Sequence, residues 1–318
     1  MTVGTVLRRR GSADPHRFSH PMVWQALQEA DVLCMQEVWL TDATKLFDAL
    51  GHGHKVRDDG GWRLRPFSAG GSGLGMAAAV PVVSQELRAF HTPPVGTDRF
   101  ARKGMLCARL RLSTDPVREL DIVTTHLQAS QGASAQVVRE QQLRELRRAV
   151  DELGAPTRAF LLCGDLNIDG LRGSRNGEYE RLTRVFPDFV DLGAHADQPT
   201  MCPVPRINDL AFRFWGNEPL QRLDYMLFRP PVDDAIVAHG CEVVLDQPLP
   251  AYGGQATFAS DHFGLRARLH LNGHGAGGAA ALAGAPGPFV IPATEASLGG
   301  GDTDGGWLRP PPGKREGS

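Results

Sequence analysis

Eight consecutive residues constrain this chain more than any other stretch. Phe160, Leu161, Leu162 and Cys163 form an apolar run, followed at once by Gly164, Asp165, Leu166 and Asn167. A short apolar run stopped by a glycine reads as a buried strand ending in a tight turn. Asp165 and Asn167 are two apart, so on an extended backbone their side chains point the same way. A carboxylate and a carboxamide at the mouth of a buried strand supply a hard oxygen ligand for a divalent cation and an amide to hold a phosphate oxygen. Gly-Asp-x-Asn is also ordinary turn chemistry. The stretch gains meaning because several other apolar strands in the chain end in the same kind of polar group.

Those strands can be read in order. Residues 1–21 are irregular, with Val3 to Leu7 the one short strand-like run. A helix is expected over Met22 to Ala30, and Val32 to Met35 is a buried strand delivering Gln36-Glu37. Thr41 to Leu50 reads as a helix stopped by Gly51. Leu74 to Val83 is expected as one strand, and 85–104 as a connecting stretch. Met105 to Leu112 alternates, with Met105, Cys107, Arg109 and Arg111 on one face and Leu106, Ala108, Leu110 and Leu112 on the other. Leu120 to Thr125 delivers His126. Ser134 to Leu153 carries the clearest helical stripe, Val138, Leu143, Leu146, Val150 and Leu153, closed by Gly154 and Pro156. A helix follows near Tyr179 to Val185. Arg222 to Phe228 is a strand with Asp224 embedded, Ile236 to Leu245 another, and Ser260-Asp261-His262 opens the last, Phe263 to Leu271. Strands and helices mixed without strict alternation predict an α/β layered sandwich over 22–271. Beyond it, 272–318 is rich in Gly, Ala and Pro and reads as a disordered tail.

Composition narrows the class of partner. A net charge of −2 provides no global basic field for nucleic acid or anionic lipid. Arg139, Arg144, Arg147 and Arg148 could form a local basic helix face, although a solvated face is the commoner outcome. The cysteines are five, widely spaced and without zinc spacing, which suits a reducing compartment. No stretch has the length of a membrane span, and the first residues lack a signal-peptide pattern. The chain as given is expected to be cytoplasmic and monomeric, with secretion open if the start lies upstream.

The polar groups at strand ends are Glu37, His126, Asp165, Asn167, Asp261 and His262, with Asp224 inside a strand. Singly each has a structural explanation as a cap, a turn residue or a satisfied core histidine. Strands of one core share an end, so residues distant in sequence can converge there. Together these types suit metal-assisted hydrolysis of a phosphate ester. Glu37 and Asp261 would bind Mg²⁺, or Mn²⁺ or another divalent cation in its place. His262 would take a proton from water with Asp224 fixing its tautomer. His126 and Asn167 would stabilise the pentacovalent charge.

In this order, Gln36-Glu37, Thr125-His126-Leu127-Gln128-Ala129, Gly164-Asp165-Leu166-Asn167, Leu223-Asp224-Tyr225 and Ser260-Asp261-His262 resemble the endonuclease/exonuclease/phosphatase superfamily. That superfamily has the fold of DNase I, apurinic endonucleases, inositol polyphosphate 5-phosphatases and neutral sphingomyelinases. The resemblance implies a four-layered α/β/β/α sandwich, two packed mixed sheets flanked by helices. Within it the chain looks most like the sphingomyelinase branch, on Thr125 to Ala129, the spacing in Val138-Arg139-Glu140-Gln141-Gln142-Leu143, and Asp98 and Lys103 before Gly104. The last pair is implied to act near the site; its bland reading is an exposed loop with solvated charges.

The implied reaction is phospholipase C-type release of phosphocholine from sphingomyelin, with peripheral membrane contact. Phe212, Phe214 and Trp215, or Tyr252 and Phe258, are the aromatics that could serve such contact, with core packing the alternative role. One departure stands out. Family members begin with a strand ending in an asparagine of the metal site, and no asparagine precedes Glu37 here. The first strand is therefore expected to be truncated or lost. Two other readings remain: a nuclease or phosphoinositide phosphatase on the same fold, and a non-catalytic truncated member.

Overall fold

The computed structural model of the chain describes residues 1–5, 15–39, 41–58, 71–171, 177–216, 218–250 and 257–272. In chain order the elements are β1 (Thr2–Thr5), α1 (Pro21–Gln28), β2 (Val32–Met35), α2 (Thr41–Ala49), β3 (His54–Arg57), β4 (Gly75–Ala78) and β5 (Val82–Ala89). There follow β6 (Gly104–Thr114), β7 (Val117–His126), α3 (Ala133–Leu153), β8 (Ala159–Asp165), α4 (Glu178–Val185) and β9 (Val190–Asp191). The last are α5 (Asp209–Trp215), β10 (Asp224–Arg229), β11 (Ile236–Val244) and β12 (Gly264–Leu271). Single tight helical turns lie at Pro15–Ser19 and Gly96–Phe100.

The strands form two six-stranded sheets, ordered β11-β12-β1-β2-β4-β3 and β5-β6-β7-β8-β10-β9. Each central strand is apolar on both faces because each face meets a different layer. In β8, Leu161 and Cys163 join the core between the sheets, whereas Phe160 and Leu162 face the core under α3 and α4. In β2, Val32 and Cys34 point between the sheets, and Leu33 and Met35 pack with Val23 and Leu27 of α1 and Leu46 and Phe47 of α2. The result is α/β/β/α layering, as the strand patterns and the resemblance imply. The alternation expected for β6 holds: Leu106, Ala108 and Leu110 enter the inter-sheet core, and Met105 and Cys107 lie on the helix side. Polar contacts also cross between sheets. Gln36 Nε2 donates to Thr124 Oγ1 at 3.0 Å. A hydrogen bond with Cys163 of the opposite sheet, together with burial, pushes the Cys34 thiol well up.

Several expectations are corrected. Thr2–Thr5, in the start read above as irregular apart from the strand-like run Val3 to Leu7, is an inner strand of the first sheet, parallel to β2 and antiparallel to β12, so a strand stands where one was expected to be truncated or lost. Residues 6–14, which follow it, and Tyr252 lie outside the described residues, as does 273–318, so the tail expectation does too. Leu74 to Val83 is not one strand. β4 ends at Ala78 in the first sheet and β5 begins at Val82 in the second, the chain crossing between layers through Pro81, which has no N–H for a ladder. β5 also takes up the first residues of the stretch expected as a connection, as far as Ala89. Its side chains are mostly exposed, so the apolar alternation that reveals a strand is missing. Asp224 opens β10 instead of sitting within it, and β8 runs through Gly164 to Asp165.

Gly164 explains how β8 continues past the expected turn. Its φ is +133°, and a Cβ there would stand 2.0 Å from the Thr125 carbonyl oxygen of β7. Only glycine lets the two parallel strands close at this point. Gly164→Ala is expected to destabilise the protein by about 3 kcal/mol or more, through overpacking against backbone plus a strained dihedral. Gly53→Ala, where a Cβ meets open space, should stay within about 0.5 kcal/mol. Urea unfolding of the two variants checks the contrast; equal midpoints would contradict it.

Candidate active site

Strand register assembles the site. In the second sheet His126 is the register partner of Asp165 across β7 and β8, and Asp165 that of Asp224 across β8 and β10. The three form one row at one end of the sheet. Parity gives their face: Ile122, Leu161, Cys163 and Met226 all point into the inter-sheet core, so His126, Asp165 and Asp224, an even number of residues away on the same strands, point there too. A shift of one residue in any strand would turn its member of the row outward.

The first sheet answers from the opposite side. His262, just before β12, places Nδ1 2.8 Å from Asp224 Oδ2, and both residues are about 1 % exposed. One ligand-type atom from each of Asp165, Asp224 and His262 lies within 4.8 Å of the others. His126 Nε2 is 3.5 Å from Asp165 Oδ2. Glu37 follows the C-terminal end of β2, and Asp261 precedes the N-terminal end of β12. With β1 parallel to β2 and antiparallel to β12, these ends lie on the same edge of the sheet, one strand apart. The sequence-predicted residues Glu37, His126, Asp165, Asn167, Asp224, Asp261 and His262 therefore share one end of the sandwich, and all are buried.

Local backbone is bent to achieve this. Glu37 and Asn167 have φ of +58° and +53°. Asparagine tolerates the left-handed region, whereas a glutamate held there carries strain of about 1 kcal/mol or more. Gly73 makes room beside Glu37: its own φ is +70°, a Cβ would lie 3.1 Å from Glu37 Cα, and its carbonyl accepts from Val38 N at 2.9 Å. Asp165 Oδ1 accepts from Asn167 N at 2.8 Å, which sets the turn after β8.

The pair implied by resemblance is not an exposed loop. Lys103 is buried, with Nζ 3.2 Å from Asp98 Oδ2 and 2.9 Å from the Leu127 carbonyl, the peptide following His126. Asn167 Nδ2 donates to the same carbonyl at 3.2 Å, and Asp98 Oδ2 accepts from Ala129 N at 2.6 Å. One backbone oxygen thus ties the loops of β6, β7 and β8 together.

Sequence reasoning missed the supporting layer. Arg139, whose spacing to Gln142 belongs to the resemblance and for which a basic or a solvated helix face was weighed above, is fully buried and makes a two-point ion pair with Glu178, at 2.8 Å for each contact. Its remaining nitrogen donates to the carbonyls of Gln128 and Ser130. Gln142 Oε1 accepts from Gln128 N, and Gln128 Oε1 from Val95 N, both at 2.8 Å. Glu145 accepts from the backbone N–H groups of His91 and Thr92 and from Thr92 Oγ1, and so anchors the loop that leads to Asp98. Two of the other helix arginines are paired at the surface, Arg144 with Glu140 and Arg147 with Asp151 and Asp188, and Arg148 is exposed. Arg139, Gln142 and Glu145 recur at three-residue spacing, which in hindsight marks one helix face; nothing in their type separates that face from a solvated one.

The donor set fits a hard divalent cation. Glu37, Asp165, Asp224 and Asp261 bring four buried carboxylates to one end of the fold. Gathering them without positive charge is unfavourable. Asp224 Oδ1 is buried with no hydrogen-bond partner among the described residues. Oxygen ligands in this number suit Mg²⁺ or Mn²⁺.

Three comparisons bear on this geometry. The endonuclease/exonuclease/phosphatase family matches residues 14–262. Among solved structures, beta toxin of Staphylococcus aureus superposes with a TM-score of 0.68 at 17% identity, covering 84% of this chain and 99% of that one. A double mutant of the same toxin was solved with bound magnesium ions. Sphingomyelinase C from Streptomyces griseocarneus matches with a TM-score of 0.61 at 21% identity, covering 84% of this chain and 98% of the other. TDP2 from D. rerio, solved with a single-stranded DNA product, gives 0.62 at 14% identity, over 85% and 98%. No curated protein sequence matches the chain significantly. At these identities the solved structures speak for the fold.

Burial alone would raise the Glu145 carboxyl, but hydrogen bonds from Thr92 and His91 together hold it below the usual carboxylate value. A depressed folded-state value contributes stability above the unfolded-state value, and that contribution is lost as pH falls through the folded-state value. Acid unfolding should therefore be less steep in Glu145→Gln than in wild type below the ordinary carboxylate range. Identical pH profiles would contradict the anchoring role.

Proposed function

The chain belongs to the endonuclease/exonuclease/phosphatase family, and from that premise we propose that it is a Mg²⁺-dependent phosphodiesterase acting on sphingomyelin-like phospholipids. The cleavage is phospholipase C-type: water oxygen bonds to phosphorus as water gives up a proton, the phosphorus–oxygen bond to the lipid alcohol breaks, the alcohol oxygen takes up a proton, and the lipid alcohol and phosphocholine are released. The observation that carries this reading is the His126–Asp165–Asp224 row, closed from the opposite sheet by His262 at 2.8 Å from Asp224.

The residues take distinct parts. Asp224 accepts from Nδ1–H of His262, which puts the basic lone pair on Nε2, where it can take a proton from the attacking water. Such base catalysis contributes about 10²–10⁴ in rate. His126 and Asn167 donate to phosphoryl oxygens as charge builds there, with Lys103, positioned by Asp98, behind them. Asp165 orients both, accepting from Asn167 N and facing His126 Nε2. Glu37 and Asp261 would hold the cation, which when bound draws charge from the phosphoryl oxygens. Glu37 reaches the site from the end of β2 without a preceding asparagine.

Two features favour lipid over nucleic acid. Of the helix arginines that could have met a phosphate backbone, Arg139 is buried and Arg144 and Arg147 are paired with carboxylates, which leaves Arg148 exposed, and net charge is −2. Exposed aromatics also flank the site. Phe100, 50 % exposed, lies on the turn carrying Asp98, and Phe212, 39 % exposed, on α5. Phe258, by contrast, is buried in a small cluster with Phe263 and cannot meet a membrane.

The test is phosphocholine release from sphingomyelin vesicles with Mg²⁺ and with EDTA, beside a soluble bis(nitrophenyl) phosphate and single-stranded DNA. Mg²⁺-dependent release, reduced at least about 10³-fold in His262→Ala, is the expected result. Cleavage of DNA alone would move the protein to the nuclease reading, and no turnover of any substrate would support a non-catalytic member. A double substitution of Phe100 and Phe212 to serine should lower turnover on vesicles about tenfold or more while leaving the soluble substrate unaffected. Equal losses on both substrates would contradict lipid contact through these rings.

A further inference from the structure

Asp261 is held by an element outside its own strand. The stretch containing Phe212, Phe214 and Trp215 is the helix α5, started by Asn208, whose Oδ1 accepts from Ala211 N at 3.0 Å. Asn208 is fully buried, and its other side-chain atom, Nδ2, donates to the Ser260 carbonyl at 3.0 Å. At the far end of the same helix, Trp215 Nε1 donates to Asp261 Oδ2 at 3.0 Å. Both ends of α5 are thus fastened to the Ser260-Asp261-His262 segment.

We propose that α5 is a positioning helix for the ion-binding carboxylate, with Trp215 the residue that orients Asp261. The proposal rests on the reading of Asp261 as a cation ligand. Its physical basis is the kind of donor involved. Oδ1 of Asp261 receives the Ser260 hydroxyl at 3.3 Å, and Oδ2 the indole N–H. A hydrogen bond on each carboxylate oxygen, from two different elements, fixes the plane of the carboxylate. An indole N–H is donor-only and uncharged. It orients the carboxylate without neutralising it, whereas an arginine or lysine in its place would compete with the cation for the same charge. Outer partners of this kind, when removed, typically weaken metal binding about 10- to 100-fold. Asn208 sets the height of the helix, and so where the indole arrives, by fixing its first turn to the residue before Asp261.

The test measures ion binding apart from turnover. Mn²⁺ is titrated into the full chain and the free ion followed by electron paramagnetic resonance, with Mg²⁺ as competitor. Four variants are compared with wild type: Trp215→Phe, Asn208→Ser, Asp261→Asn and Arg213→Ala. Trp215→Phe keeps the ring packing and loses the donor; Asn208→Ser keeps a capping oxygen and loses the tie to Ser260. The expected result is Mn²⁺ binding about tenfold weaker in Trp215→Phe and several-fold weaker in Asn208→Ser, with unchanged circular dichroism. Arg213→Ala, an exposed change on the same helix, should bind like wild type. Wild-type affinity in both Trp215→Phe and Asn208→Ser, beside a loss in Asp261→Asn, would overturn the positioning role while leaving the metal site standing. Absence of Mn²⁺ binding in wild type would overturn the metal-site reading, and this proposal with it. If Trp215→Phe does not fold, Asn208→Ser decides alone.

Discussion

The hydrogen bond between His262 Nδ1 and Asp224 Oδ2, 2.8 Å long and shielded from solvent, is the contact on which the rest of the site depends. It joins the two sheets at the end where every polar group proposed for chemistry is found. Each partner owes its place to a different ladder. Asp224 is set by pairing of β10 with β8, and His262 by the start of β12 against β1 and β11. A charge-assisted bond in so dry a place is short-ranged and sensitive to geometry. It can form only if both sheets pack at the right separation, which is the work of the inter-sheet core of Val32, Leu106, Leu161, Met226 and Leu265.

A site rich in buried carboxylates destabilises a fold unless something compensates, and the compensation is visible in two layers. Toward the second sheet, α3 commits Arg139, Gln142 and Glu145 to backbone groups of the loops at 91–95 and 128–130. Beside those loops, Lys103 before β6 and Asn167 after β8 both donate to the single Leu127 carbonyl. Toward the first sheet, α5 fastens Ser260 and Asp261 from both of its ends. Loops that would otherwise open readily are thereby held by buried polar contacts instead of apolar area. Such contacts give little net stability, but leaving any one partner unsatisfied is costly. The result is a site whose geometry is fixed from behind.

How much of this was legible in the sequence follows from what each layer is made of. Strands buried on both faces, such as Val32–Met35 and Phe160–Cys163, read as unbroken apolar runs, and the polar residue ending each run supplied a candidate site residue before any geometry. The α3 stripe was equally plain. β5 was not, because an edge strand with polar faces has no period to read, and β1 was only partly so, as a short strand-like run at Val3 to Leu7 whose bounds so small a window could not fix. Register was invisible as well: nothing in the sequence states that His126, Asp165 and Asp224 stand in one row. Arg139 was misread as a surface charge because burial of an arginine depends on a partner, Glu178, 39 positions away. Trp215 could have been suspected from the Asn208-Asp209 cap signal ahead of an apolar run, but its target could not.

The proposed hydrolysis depends on the tautomer of His262, which can be observed directly. Two-dimensional ¹H–¹⁵N NMR of histidine-labelled protein distinguishes a ring protonated at Nδ1 from one protonated at Nε2. With the proton held toward Asp224, His262 should show Nδ1 protonated and Nε2 bearing the lone pair in its neutral form, and Asp224→Asn should abolish that preference. A neutral His262 protonated at Nε2 in the wild-type protein would leave no base facing the substrate side, and would contradict the arrangement on which the proposed hydrolysis rests.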